Sequence, residues 1–172
     1  TQMSTFEDTL KEIKPIDPAL ADIAQERLDS LTKPKGSLGR LEELATKVVQ
    51  IGGLITPSVA DKKLFVFAGD HGVAEEGVSA FPKEVTPQMV INFLHGGAGI
   101  NVLANHVGAM VIPVDIGVDF DFSALGDLAA ALVDSKVVHG TKNIRKGPAM
   151  TRDETLACVE VGIELALEYA KE

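Results

Sequence analysis

Behind an Asp17-Pro18 pair suited to an N-cap and first-turn proline, apolar residues recur at helical spacing: Leu20, Ile23, Ala24, Leu28 and Leu31. A second helical stripe, Leu38, Leu41, Leu44, Ala45, Val48 and Val49, predicts a helix from Ser37 to Gln50 that Gly52-Gly53 ends. The period then changes. Leu64-Phe65-Val66-Phe67-Ala68-Gly69 is a short continuous apolar run, the signature of a strand buried on both faces of a parallel sheet. Thr86-Pro87 predicts an N-cap and a helix with Met89, Val90, Phe93 and Leu94 on its apolar side, interrupted by Gly96-Gly97. Ile100, Val102, Leu103 and Val107 read as a second short helix. Ala109 to Ile116 reads as the next strand, with Pro113 placing it at an edge or a bulge.

Residues 119–135 admit a short helix or a surface excursion, Lys136 to Gly140 a third strand, and Thr141 to Met150 a polar, basic loop. Thr151-Arg152-Asp153-Glu154 is a capping box, opening a helix with Leu156, Val159, Ile163, Ala166 and Ala170 as its apolar stripe. The alternation predicts an α/β protein: an incomplete doubly wound parallel sheet of about three strands, with residues 1–55 as a helical subdomain or arm and 56–172 as half of a Rossmann-like domain. A last helix with no strand to lead into leaves an apolar sheet edge unpaired. The expectation is a fragment whose edge a second chain or a C-terminal half covers.

Composition narrows the function classes. The 172 residues are 45% hydrophobic and 24% charged with a net charge of −9, which disfavours a nucleic-acid partner. No apolar run approaches the ~20 residues that cross a bilayer. Thr1-Gln2-Met3-Ser4 lacks the basic and apolar parts of a secretory signal, and a single cysteine, Cys158, excludes an internal disulfide. The expected setting is the cytoplasm. Basic residues gather at Lys33, Lys35 and Arg40 and again at Lys142, Arg145 and Lys146, either as solvated loop charge or as contacts for a small anion.

Asp70-His71-Gly72 follows the first predicted strand, where α/β proteins place ligands. Such a pair can orient a general base, ligate a metal or fix a loop, and Asp70 can equally accept N–H bonds to hold the glycine turn. Glu75 and Glu76 add carboxylates without any metal-ligand spacing, and His95, His106 and His139 are scattered. Gly96-Gly97-Ala98-Gly99 lacks the lysine of a Walker motif and the spacing of a dinucleotide fingerprint, so close helix packing is its better reading. Val114-Asp115-Ile116-Gly117 repeats the pattern of a carboxylate followed closely by glycine.

Five ordered blocks, KPKGSLGRLEELA, AGDHGVAEEGVSAFPKEVTPQMV, GGAGINVLA, VDIGVD and GTKNIRKGPAMT, resemble the nicotinate-nucleotide dimethylbenzimidazole phosphoribosyltransferases. The resemblance spans nearly the whole chain and implies its N-terminal position in an enzyme about twice as long. It implies a homodimer that transfers phosphoribosyl from nicotinate mononucleotide to dimethylbenzimidazole, in the making of the cobalamin lower ligand; no cofactor is expected, and the absence of metal-ligand spacing leaves no metal expected either. By the same resemblance Phe81, Pro82 and Met89 line the acceptor-base pocket, with Asp70 and His71 shaping it. Phe81 and Met89 stand where well-studied relatives have a serine and a glutamine, which opens phenolic or purine acceptors. The glycine-rich nucleotide block and the catalytic glutamate are expected beyond Glu172, so the chain alone is expected to be inactive. The rival readings are one subunit of a split enzyme and a base- or nucleotide-binding module without catalysis.

Overall fold

The computed structural model describes residues 6–170, so Met3 and Glu172 lie outside the described residues. Three helices come first: α1 (Phe6–Glu12), α2 (Ala19–Asp29) and α3 (Arg40–Gly52). The α/β part follows as β1 (Lys62–Gly69), a 3-10 turn (Gly72–Glu76), α4 (Val85–Leu94), α5 (Gly99–Val107) and β2 (Ala109–Gly117). A 3-10 segment (Phe122–Ala131), β3 (Val133–Asp134) and α6 (Arg152–Tyr169) complete it. Residues 6–9 and 61–170 make one compact unit and Leu10–Ala60 the other.

In the smaller unit the Asp17 carboxylate accepts the Ala19 N–H at 2.9 Å, satisfying one of the orphan donors at the start of α2. Helices α2 and α3 meet through buried Ala24 and Val49, and beside them an apolar cavity of about 300 Å³ is lined by Leu28, Val48, Ile55 and Pro57. Leu31, Leu38, Leu41 and Leu44, expected on the buried stripes, are exposed. Two helices cover only one side of each other, so half of the apolar periodicity within this unit has nothing to pack on.

The larger unit is built on a parallel sheet in the order β1-β2-β3. Val90 of α4 packs with Val118, Phe122 and Leu132 on one face, and Leu165 of α6 packs on Ile112 and Val114 on the other. Helices on both faces explain why β1 and β2 read as continuous apolar runs. Pro113 is a correction: β2 is the central strand, not an edge. The third strand pairs only with Val114 and Asp115, so at Pro113 that side of β2 has no partner yet and the missing N–H breaks no ladder bond. A register shift does occur nearby, where Gly69 pairs with Gly117 rather than Ile116.

Three further expectations are corrected. The third strand is Val133–Asp134, not Lys136 to Gly140, although Ser135 and Val137 still donate N–H bonds to Asp115 and Ile116 carbonyls at 2.9 and 3.1 Å. Its continuation is cut short because the Lys136 ammonium turns into the neighbouring loop. Helix α4 starts at Val85, one residue before the expected Thr86 cap, because Val85 and Thr86 donate to the Pro82 and Lys83 carbonyls and wind the chain in early. On α6 the buried side is Val161, Leu165 and Tyr169, while Val159, Ala166 and Ala170 are exposed. That helix is apolar on two sides, so its period alone could not choose. Its N-terminus is as expected, with Thr151 Oγ1 accepting the Glu154 N–H and Glu154 accepting the Thr151 N–H at 2.7 Å.

After α4 the chain turns at Gly96, whose φ of +74° suits glycine. Asn101, buried in α5, accepts the Ala98 N–H at 3.2 Å and donates to the Phe93 carbonyl at 3.1 Å, fixing the angle between α4 and α5. This glycine block therefore serves helix packing. Among the described residues no helix is long and apolar enough to cross a membrane.

Candidate functional site

Five residues singled out from the sequence, Asp70, His71, Phe81, Pro82 and Met89, line one cavity of about 520 Å³ at the carboxyl end of β1. Strand β1 supplies its floor, the 3-10 turn one wall and the start of α4 another, with Val73, Val78 and Phe93 adding apolar surface. This is the edge at which parallel α/β sheets leave room for ligands. The volume falls in the range of small-molecule sites, about 300–1,000 Å³.

Asp70 is buried and its Oδ2 accepts the Asp119 N–H at 2.8 Å. Its carboxylate does not cap its own glycine turn. The donor comes from the loop after β2, so Asp70 ties two strand ends together, and its second oxygen has no hydrogen-bond partner among the described residues. The main chain around it is equally fixed: Asp70 N–H donates to Gly117 at 2.9 Å, Thr141 N–H to Asp70 at 2.9 Å, and Gly72 N–H to Thr141 at 3.0 Å. Gly72 is required there, since a Cβ would lie 2.6 Å from the Thr141 carbonyl oxygen and the Asn143 nitrogen. His71 is exposed, and so are Phe81, at 68%, and Pro82. Met89 is less exposed than Phe81, at 38%.

Asp115 differs. Buried at 1%, it accepts Gly117 and Val118 N–H bonds at 3.1 and 2.8 Å and pairs with Lys136 at 3.1 Å. Lys136 Nζ also donates to the Val118 and Phe120 carbonyls, each at 2.6 Å. This clamp holds the loop that presents the Asp119 N–H to Asp70. The sequence signals Lys136 only as a lone cation ahead of Val137-Val138, and nothing in its spacing marks it as a site residue.

Glu75 and Glu76 face the basic loop, pairing with Lys146 and Arg145 respectively. The Lys146 ammonium holds the Glu75 carboxyl below its ordinary range, and Lys146 is raised in return. Among the described residues no group of three or more His, Cys, Asp or Glu is placed to hold a metal ion.

A parallel sheet wrapped by helices, with an apolar cavity and a buried carboxylate at its carboxyl edge, defines an α/β protein. The pattern of the phosphoribosyltransferase family matches residues 13–172. The nicotinate-nucleotide--dimethylbenzimidazole phosphoribosyltransferase of Geobacter metallireducens is 61% identical over 164 residues, covering 95% of this chain and 45% of that protein. Its counterpart in Geobacter sulfurreducens is 58% identical over 170 residues, covering 99% and 47%. The crystal structure of the Thermus thermophilus enzyme of that name superposes with a TM-score of 0.81 at 42% identity, over 89% of this chain and 45% of that one. The chain belongs to the phosphoribosyltransferase family, and it spans about half the length of the curated relatives it matches.

Proposed function

We propose that the chain carries the acceptor-base part of a phosphoribosyltransferase whose donor is nicotinate mononucleotide and whose acceptor is dimethylbenzimidazole or a similar flat base. The observation that carries this reading is the gathering of Asp70, His71, Phe81, Pro82 and Met89 around one cavity at the strand edge, in a chain whose relatives bear that activity in their names. An aromatic ring and a thioether offer a flat apolar base stacking and edge contacts. By the family resemblance Phe81 and Met89 depart from a polar pattern at the acceptor pocket, so phenols and purines belong on the substrate panel beside dimethylbenzimidazole.

In the transfer a ring nitrogen of the base attacks C1′, the bond from C1′ to the nicotinate nitrogen breaks, and the proton on the other ring nitrogen leaves. Asp70 shapes the cavity and His71 rims it; the proton goes to a glutamate expected outside this chain. The 172-residue chain by itself therefore binds the base and releases no nicotinate. The same reading makes the sheet the first part of a Rossmann-like domain of a cytoplasmic homodimer, completed by a C-terminal half or a second chain, and it needs no cofactor.

The test is nicotinate release from nicotinate mononucleotide and dimethylbenzimidazole, by the chain alone and after adding the C-terminal half of the Geobacter metallireducens relative. Release only in the mixture is the expected result. Turnover by the chain alone would move the proton to Asp70, Glu75 or Glu76, and no release in either case without benzimidazole binding would refute the reading.

A further inference from the structure

The ion pairs of the chain are of two kinds. In the basic segments they lie at the surface, with carboxylates close along the chain for Lys35 and Arg40 (Asp29 and Glu43) and distant ones for Arg145 and Lys146 (Glu76 and Glu75). Lys136 is different: its side chain is 16% exposed, and that of its partner Asp115 is 1% exposed. An ammonium has three N–H donors and no acceptor. Three oxygens take them here, Asp115 Oδ2 at 3.1 Å and the Val118 and Phe120 carbonyls at 2.6 Å each. No donor is left for a ligand, and Lys136 is not among the residues that line the cavity at the carboxyl end of β1. A cation so engaged acts through the backbone that it holds.

Two routes lead from Lys136 to that cavity. The first is a single peptide unit. The Val118 carbonyl and the Asp119 N–H belong to the same planar trans peptide, so they point in opposite directions. With Lys136 holding the oxygen, the N–H is directed at Asp70 Oδ2, which accepts it at 2.8 Å. The Phe120 carbonyl fixes the other side of Asp119. The second route is packing. Fully buried Val118, and Phe122, whose ring centre lies 5.8 Å from the Lys136 ammonium, pack with Val90 and Ala68. Val90 and Ala68 line the cavity, and a close-packed interior passes a shift of Val118 on to that wall.

We propose that Lys136 is a positioning residue for this cavity: through the 118–120 loop it sets where the Asp70 carboxylate and the Val90 wall stand, and thereby how tightly the cavity holds its ligand. The loop is ordered before a ligand arrives, so its ordering adds no cost to binding. Only the choice of a benzimidazole as that ligand rests on the function proposed above.

The test compares the parent 172-residue chain with K136M, D115N and L165A, at a temperature where circular dichroism shows them folded. In D115N the remaining oxygen keeps the Gly117 and Val118 N–H bonds while an amide faces the ammonium, which loosens Lys136 at less risk to the fold. L165A opens a void on the opposite face of the sheet and controls for lost stability. The readouts are amide hydrogen exchange at Asp119 in the free chain, relative to the β1 amides, by NMR, and affinity for dimethylbenzimidazole by fluorescence titration. In K136M and D115N exchange at Asp119 is expected to quicken about tenfold or more. Affinity is expected to fall about tenfold in K136M, the size of one hydrogen bond to a charged group, and about threefold in D115N, which carries both readouts if K136M does not fold. L165A, remote from the loop, is expected to change either by less than about twofold. Relative exchange at Asp119 no faster than in L165A, or faster exchange with affinity unchanged, overturns the proposal. A parent chain that binds no benzimidazole refutes the base reading instead, and exchange alone then decides: quickened at Asp119 the positioning role stands, unchanged it falls.

Discussion

Asp70 and Asp115 stand at matching places, near the carboxyl ends of neighbouring parallel strands and just ahead of glycine, yet the fold uses them in opposite ways. Asp115 is enclosed, with two backbone donors on one oxygen and Lys136 on the other. Asp70 receives a single backbone donor and borders the apolar cavity at the carboxyl end of β1. A carboxylate with both oxygens engaged is a structural rivet; one with an oxygen to spare, beside an open apolar cavity, is available to a ligand.

The sharpest way to break the contrast is K136M. It leaves the Asp115 carboxylate buried without its counter-charge and strands two carbonyls, so urea unfolding of the chain should show a loss of about 3–5 kcal/mol. Next is G72A, where the clash is with main chain rather than a flexible tip. Overpacking of this kind costs about 1–3 kcal/mol, and benzimidazole binding should fall with stability because the 141–143 loop must move. D70N and F81A sharpen the comparison from the ligand side. Asparagine can still accept the Asp119 N–H, so D70N should cost less than about 1.5 kcal/mol, below the full value of a hydrogen bond to a charged group. F81A, on a side chain exposed at 68%, should leave stability within about 0.5 kcal/mol. By fluorescence titration it should weaken benzimidazole binding by about five- to tenfold, the value of one aromatic contact.

The smallest effect concerns the other basic loop. Glu42 is held below its ordinary value of 4.5, first by the Lys33 ammonium and then by the Leu38 N–H. A carboxylate depressed in the folded state contributes stability that is complete above its unfolded value and lost as pH falls through its folded one. The gap in Tm between the parent and E42Q should therefore be widest near neutrality and should close on acidification below about pH 4.5; a gap independent of pH would show that Glu42 acts by shape alone.

Much of this architecture is legible in the sequence. Continuous apolar runs at residues 64–69 and 109–116 could be satisfied only by a sheet covered on both faces, and the Thr151 capping box marks the start of α6 to the residue. The cavity at the carboxyl end of β1 is lined by residues that lie close together along one segment beside a strand end, though the family resemblance, not their spacing, singles out Phe81, Pro82 and Met89. The Lys136 clamp is not: its three acceptors come from residues 115–120, which only the chain reversal after the 3-10 segment brings near. Nor is the difference between the basic loops, since Lys146 and Arg145 find their carboxylates 71 and 69 residues away along the chain.

The periods, and hence the kind and order of most elements, follow from the amino acids alone, because burial of apolar surface needs no partner to be named in advance. Tertiary structure alone decided which side of α6 is buried, where the third strand stops, and which of two like carboxylates keeps a free oxygen. Those outcomes depend on pairings between groups far apart in the chain, and a hydrogen bond or an ion pair exists only where the fold brings both partners within about 3 Å.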